Sequence, residues 1–364
     1  MNLKPKVAFC KFAGLASGGI EKYLQSFAMM LKDEGYEVDY YYTNAAPIKN
    51  TSWVHPPNDS LRKKIVEDYG IKTIKVEVGY RVHNTWHESN FFDVFDESKY
   101  DLLITGGNGE PEYPYTELNN IKIVHTVHGD HVFNKGNIVK SILICNWQAQ
   151  RWLKNGGEKS KLEIIPPIVK NPETYPTNFR EKHNIPQDAF VFGMHQRDDP
   201  HIFHPVCLSA FSALPQDNSY MVIMGGSNLY REFAKDLPPA KQKKIIFVDF
   251  CSDALEIHNF LDSIDVYAHS RLDGEVCSAA IIEGMSYGKP VVSCPGQNNG
   301  HEEQIKECGF FCNTIEDYTK ALHLLSTDND AYKKSCAKTQ LKYNNIYSFS
   351  SVKEKIKTMI NNTI

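Results

Sequence analysis

Glu275 and Glu283 stand eight positions apart in the stretch Arg271-Leu-Asp-Gly-Glu275-Val-Cys-Ser-Ala-Ala-Ile-Ile-Glu283-Gly-Met-Ser-Tyr-Gly-Lys-Pro-Val-Val-Ser293. Small residues follow Ser278, which has the chemistry of a helix N-cap. A helix start presents unpaired N–H groups and the positive end of a dipole, which suits a phosphate. Glu275 then lies just outside the helix, and Glu283 roughly 7–8 Å along it at about 1.5 Å per residue. One carboxylate on each side of a diphosphate suits a nucleotide-sugar, with one gripping sugar hydroxyls and the other ribose hydroxyls. Glutamates on a surface helix are common by themselves. The sequence of loop Glu, capping Ser, small residues, second Glu and Gly288-Lys-Pro before the short apolar strand 291–293 is what favours a ligand.

Three further segments carry candidate chemistry. Phe12-Ala-Gly14-Leu-Ala-Ser-Gly18-Gly19-Ile-Glu21-Lys follows a strand and opens a helix, so Gly18 and Gly19 allow a ligand close to the backbone. It does not match the dinucleotide fingerprint, and a flexible turn is the plainer alternative. His125, His128 and His131 lie at a strand end and turn, not on one helix face, which argues against a metal cluster. His128, beside Gly129, is the residue expected to touch substrate, because ligands sit at the C-terminal edges of parallel strands. Arg197, in Phe192-Gly-Met-His-Gln-Arg197-Asp-Asp-Pro200, follows another strand and offers a bidentate donor for a diphosphate; the alternative is an ion pair with Asp198 or Asp199.

The elements that position these residues read as α/β throughout. Apolar runs alternate with helical patterns: Lys6–Cys10, a helix from about Ile20 to Glu34 stopped by Gly35, Glu37–Tyr42, Thr73–Val78, Leu102–Thr105, Ile121–Val127, Ser141–Cys145 and a helix over 146–155. After the Pro- and Asn-rich stretch near residue 170 a second series follows: Phe190–Met194, Tyr220–Met224, Ile245–Val248, Asp265–Ala268, Pro290–Ser293 and Gly309–Phe311. With 364 residues the chain exceeds one ordinary core. Two Rossmann-like domains are expected, 1–168 and 169–349, with an amphipathic tail helix over 350–364. The segment 44–90 contributes Trp53, His55, His83 and Trp86, residues that stack on sugar rings or simply pack an insertion. A net charge of −4 and a pI near 6.4 give no electrostatic case for nucleic acid. No apolar run reaches about 18 residues, so a spanning helix is not expected, and none of the nine cysteines forms a Cys-x-x-Cys pair. Reduced thiols and a start without a signal region point to the cytoplasm.

Together these segments resemble the retaining glycosyltransferases of family 4, which have the GT-B architecture of two Rossmann-like domains facing across a cleft. Gly18-Gly19-Ile-Glu21-Lys is similar to that family's N-terminal turn, and His125-Thr-Val-His128-Gly129 to its acceptor-domain segment. Ile164-Ile-Pro-Pro-Ile-Val169 resembles the interdomain stretch, Glu275 to Glu283 the E-x7-E signature, and Gly300-His-Glu-Glu303 the segment after the following strand. The resemblance spans roughly residues 6 to 310. It implies transfer of a sugar from a nucleoside diphosphate to a saccharide or lipid-linked acceptor with retention. The donor would lie on the second domain and the acceptor on the first, with no metal, no cofactor and at most peripheral membrane contact; it leaves oligomeric state open. It assigns His128, Arg197 and Glu275 to the reacting centre. Donor binding falls to Gly18, Gly19, Arg197, Glu275, Glu283 and the backbone amides of Val276, Cys277 and Ser278. Two departures stand out: the family's lysine after the arginine is replaced by Ile202 and Phe203, for which His201, His204, Arg231 or Lys235 would substitute, and Cys277-Ser278 replaces Phe-Gly. An epimerase or hydrolase on this architecture, with Asp130 as its acid or base, and a non-catalytic nucleotide-sugar or glycan binder are the alternatives.

Overall fold

A computed structural model describes residues 5–44, 46–50, 59–172, 175–215, 218–251 and 253–364; Trp53 and His55 lie outside the described residues. The chain divides into two units, one comprising residues 1–168 with 352–364 and the other residues 169–351.

Among the described residues of the first unit the strands are β1 (Lys6–Lys11), β2 (Glu37–Thr43), β3 (Ile48–Lys49), β4 (Lys72–Val76), β5 (Tyr80–Val82), β6 (Thr85–His87), β7 (Leu102–Gly107), β8 (Lys122–Val127), β9 (Ile138–Leu143) and β10 (Leu162–Ile164). Seven of them form one parallel sheet in the order β10-β9-β8-β7-β1-β2-β4. Val7, Ala8, Phe9 and Cys10 are fully buried, as are Leu102 to Ile104, because helices cover both faces of a parallel sheet. The helix Gly19–Asp33 buries Tyr23, Leu24, Phe27, Ala28 and Leu31 on one stripe. It stops at Gly35, whose φ of 82° only glycine adopts without strain. Within segment 44–90, β3, β5 and β6 form a separate small sheet. It delivers Trp86 into an aromatic cluster with Phe12, Phe91 and Tyr115 at centroid distances of 5.6, 6.0 and 5.8 Å. This tryptophan packs the insertion and is not a sugar platform.

The helix Phe349–Asn361 brings the end of the chain back to the first unit. Lys353 and Lys357 pair with Glu34 at 2.7 and 3.5 Å, and Tyr36 donates to Asn361 at 3.1 Å. Its partner surface is therefore the end of helix Gly19–Asp33, which the sequence does not reveal.

In the second unit the strands are β11 (Phe190–Gln196), β12 (Ser219–Gly225), β13 (Ile245–Val248), β14 (Val266–Ala268), β15 (Gly274–Glu275), β16 (Val291–Ser293), β17 (Asn298–Asn299) and β18 (Phe310–Phe311). The main sheet is parallel in the order β13-β12-β11-β14-β16-β18, with β15 and β17 paired apart from it. Counted within the unit this is the doubly wound order 3-2-1-4-5-6, and the order reverses between β11 and β14. Ligands of such sheets bind beyond the strand C-termini at that reversal. The first unit reverses likewise between β1 and β7. Among the described residues no helix is long and apolar enough to cross a membrane.

Candidate functional site

The helix Ala279–Ser286 begins where the sequence places it. Ser278 caps it, its hydroxyl accepting from Ile281 N–H at 3.4 Å. Gly274 has a φ of 63°, and a Cβ there would collide with the Asn298 carbonyl oxygen of the neighbouring strand. That tight pairing of β15 with β17 sets the position of the next residue, Glu275. The Glu275 carboxylate takes Arg271 Nη1 at 2.6 Å and the Ser278 hydroxyl at 3.3 Å, while the other edge of the guanidinium holds Asp273 at 2.9 and 2.6 Å. Burial pushes the Glu275 carboxyl above the ordinary carboxylate value, and Arg271 opposes the shift. His301, fully buried, brings Nδ1 to the Glu275 carbonyl at 3.2 Å and Nε2 to the Cys294 carbonyl at 3.0 Å. Its ring thus ties the Glu275 backbone to the strand that follows the helix.

Glu283 lies further along the helix with Oε2 2.7 Å from His195 Nε2. His195 is held in turn by Tyr267, whose hydroxyl is 3.1 Å from Nδ1. Tyr267 lies against Gly284, where a Cβ would sit 2.9 Å from the ring. The small residue after Glu283 thus lets the helix approach close enough for Tyr267 to orient the histidine that orients Glu283. His269 follows β14, with Nδ1 2.8 Å from Ser293 Oγ. Its Nε2 is buried without a hydrogen-bond partner, 4.0 Å from Glu275 Oε1. Burial keeps His269 neutral, holding its pKa well below the usual imidazole value.

The expected amide donors need one correction. Ser278 N–H donates to Gln304 Oε1 at 2.7 Å, and Gln304 Nε2 donates back to the Ser278 carbonyl at 3.0 Å. The Ser278 amide is consumed by the protein itself. The helix itself opens with Ala279 and Ala280, whose N–H groups stand at the positive end of its dipole. Arg197 pairs with Asp199 at 2.9 Å and its side chain is 62% exposed, so here it adopts the ion pair that was the alternative reading. Of the groups considered for the missing lysine, Arg231 pairs with Asp249 and lies over Phe247, and Lys235 pairs with Glu232. Ile202 is buried, and burial also lowers the His204 pKa.

In the first unit Gly18 caps helix Gly19–Asp33 through its backbone alone, and a Cβ on it would strike the Glu21 carboxylate. A Cβ on Gly19 would meet only open space. Glu21 lies 3.6 Å from the buried Lys11 at the end of β1. His128 stacks edge-on against Tyr23 at 5.3 Å, its Nε2 buried without a partner, and burial together with Lys11 pushes its pKa down to about 3. His125 binds the Thr105 hydroxyl and His131 pairs with Glu110 at 3.3 Å, so the three histidines do not converge. Among the described residues no cluster of three His, Cys, Asp or Glu side chains could hold a metal ion. Asp130 is gripped by Arg151 at 3.0 and 2.6 Å, which ill suits an acid or base.

The sequence reading leaves His195, His269, Arg271, His301 and Gln304 without roles. Two of them were within reach: His195 and His269 lie at strand C-terminal edges, the criterion that selects His128. His301 and Gln304 carry no local signal, because their partners lie 26 residues away.

Residues 176–342 match the family model of glycosyl transferases group 1. No curated protein matches the chain in sequence. Its fold is similar to that of a glycosyltransferase from Rickettsia africae at 20% identity and a TM-score of 0.74, covering 100% of this chain and 99% of that one. It is similar also to HepE of Anabaena in complex with UDP-glucose, at 15% identity and a TM-score of 0.73 over 98% and 100% of the two chains. Sucrose-phosphate synthase from Thermosynechococcus elongatus shares the fold at 14% identity and a TM-score of 0.72 over 99% of each. The whole chain thus has the two-Rossmann-domain fold of GT-B glycosyltransferases, and its second unit carries the match to glycosyl transferases group 1.

Proposed function

We propose that this protein transfers a sugar from a nucleoside diphosphate to a saccharide or lipid-linked acceptor with retention of anomeric configuration. The observation that carries this reading is the pair Glu275 and Glu283. Each is oriented by its own partner, Arg271 or His195, on either side of a capped helix start at the reversal of a doubly wound sheet. The diphosphate meets the Ala279 and Ala280 amides and the helix dipole. Glu275 accepts hydrogen bonds from sugar hydroxyls, and Glu283, with Oε2 already held by His195, offers Oε1 to the ribose. Arg197 leaves Asp199 for the departing diphosphate, an exchange its exposure permits. Charge on the leaving group is met by these fixed dipoles and the guanidinium.

Departure and attack occur on one face of the sugar. The bond from the anomeric carbon to the phosphate oxygen breaks as the acceptor oxygen adds, and the acceptor proton passes to the leaving phosphate. No side chain acts as nucleophile. The acceptor belongs to the first unit, whose strand edge carries the neutral His128.

The test is to incubate the full chain with a panel of nucleotide sugars, UDP-glucose among them, with and without glycan acceptors. Diphosphate release that depends on acceptor, with product of retained configuration by NMR, is expected. Release without acceptor assigns a hydrolase, an isomerised sugar an epimerase, and binding without turnover a non-catalytic binder.

A further inference from the structure

At the strand reversal of the first unit, a small space lies above Gly107, the last residue of β7. The point where its Cβ would stand is 3.8 Å from Glu112 Oε2 and 4.0 Å from His125 Cε1, with nothing else within 4 Å. Both side chains are buried, at 4% and 2% exposure. Glu112 spends Oε1 on Trp86 Nε1–H at 2.9 Å and on Arg81 Nη2 at 3.6 Å, while Oε2 is turned toward the space. His125 has Nδ1 2.7 Å from Thr105 Oγ1 and an Nε2 with no partner. The ring meets Thr105 through Nδ1 alone, so Nε2 is a buried polar atom whose hydrogen-bond capacity is unmet. Such a group is costly to leave unmet.

We infer that Gly107, Glu112 and His125 form a subsite for one hydroxyl of an uncharged, polyhydroxylated acceptor, an inference that rests on the transferase reading above. A hydroxyl donates one hydrogen bond and accepts others. Glu112 Oε2 takes its proton, and in the tautomer with Nδ1 accepting from Thr105 the His125 Nε2–H donates to its oxygen. The charges nearby exclude an anion as the occupant: Lys11 is matched by Glu21 and Arg81 by Glu112, each at 3.6 Å, which leaves no surplus cation for a phosphate or carboxylate. Gly107 supplies the opening, since any larger residue would fill it.

The test uses saturation-transfer NMR on the full chain with the methyl glycosides of glucose, galactose, mannose and N-acetylglucosamine, each at roughly 20 mM, where single-sugar contacts are visible. Inorganic phosphate serves as the charged probe. At least one glycoside is expected to bind, with affinity reduced five-fold or more by Gly107→Ala and by Glu112→Gln, and undisturbed by phosphate. Binding by none of the four, equal binding by both variants, or displacement by phosphate overturns the inference. Should Glu112→Gln unfold, Gly107→Ala decides, because the new methyl makes only ordinary contacts in the free protein. Calorimetric titration of the same samples with nucleotide sugars separates the two readings. Intact donor binding with no effect of the variants on glycosides defeats the subsite alone, whereas absent donor binding defeats the transferase reading.

Discussion

At the C-terminal edge of the second unit's sheet, Glu275 and Glu283 are each held by a group able to carry positive charge, Arg271 at 2.6 Å and His195 at 2.7 Å. At the matching edge of the first unit, His125 and His128 each keep a ring nitrogen buried with no partner. The same fold thus presents two different surfaces to ligand. In one the two carboxylates are held before anything binds, although His269 Nε2 beside Glu275 is also buried without a partner. The other is left with unmet hydrogen-bond capacity, which an incoming polar group would satisfy. A site that fixes a charged donor gains from preorganisation. A site with unmet donors gains selectivity, because only a ligand with the right polar atoms relieves them.

The largest effect that would break this contrast concerns Glu275. Glu275→Gln keeps the shape and removes the charge, and turnover is expected to fall roughly 100- to 1,000-fold in kcat/KM with the donor that the panel identifies. Unchanged turnover would remove the carboxylate from the donor site. Next, Gln304→Ala leaves the buried Ser278 N–H without a partner, while its C=O keeps the Ile282 N–H at 3.2 Å. It should destabilise the second unit by about 1–3 kcal/mol in denaturant unfolding. A loss below about 0.5 kcal/mol would mean that water replaces Gln304 and that the helix start does not depend on it.

Acid acts on buried histidines of both units, His125 and His128 in the first and His269 in the second. His125 titrates near 4 in the folded chain against 6.5 for a free imidazole, because burial and Lys11 disfavour its charge. Between those values the unfolded chain binds a proton that the folded chain refuses, so stability falls as pH drops, by roughly 2 kcal/mol at about pH 5. Glu275 has the opposite sign: its raised pKa makes folding less favourable as pH rises above the ordinary carboxylate value. Unfolding midpoints of wild type and His125→Asn across this range check the first effect, and a variant that keeps the full acid slope would assign it elsewhere. The smallest expected change in stability is that of Arg197→Ala, below about 0.5 kcal/mol because its ion pair is exposed. Turnover should nevertheless drop roughly 10-fold if the guanidinium reaches the diphosphate in the complex. Loss of neither would return Arg197 to a surface ion pair.

Much of the architecture is legible along the chain. The apolar runs at 6–10, 102–105 and 190–194 are strands because residues buried on both faces of a parallel sheet need no alternation. Gly35 and Ser278 mark helix ends through local backbone chemistry alone. Less legible are β3, β5 and β6 of segment 44–90, whose two or three residues are too few to show a period. The tail helix shows an apolar stripe but not its partner, since amphipathicity reports that a face is covered and not by what.

The amino-acid order by itself determined two parallel α/β units, the capped helix start between Glu275 and Glu283, and the C-terminal strand edges, where sheets of this kind take ligands. Each of these depends on interactions within a few residues or on which face of an element is apolar. Tertiary structure alone decided what the functional groups face. His195 meets Glu283 across 88 positions, and Gln304 takes the Ser278 amide across 26. Arg197 rests on Asp199, and the space above Gly107 has Glu112 on one side and His125 on the other. Hydrogen-bond partners of this kind are set by how distant elements pack, and pattern along a chain carries no record of that distance.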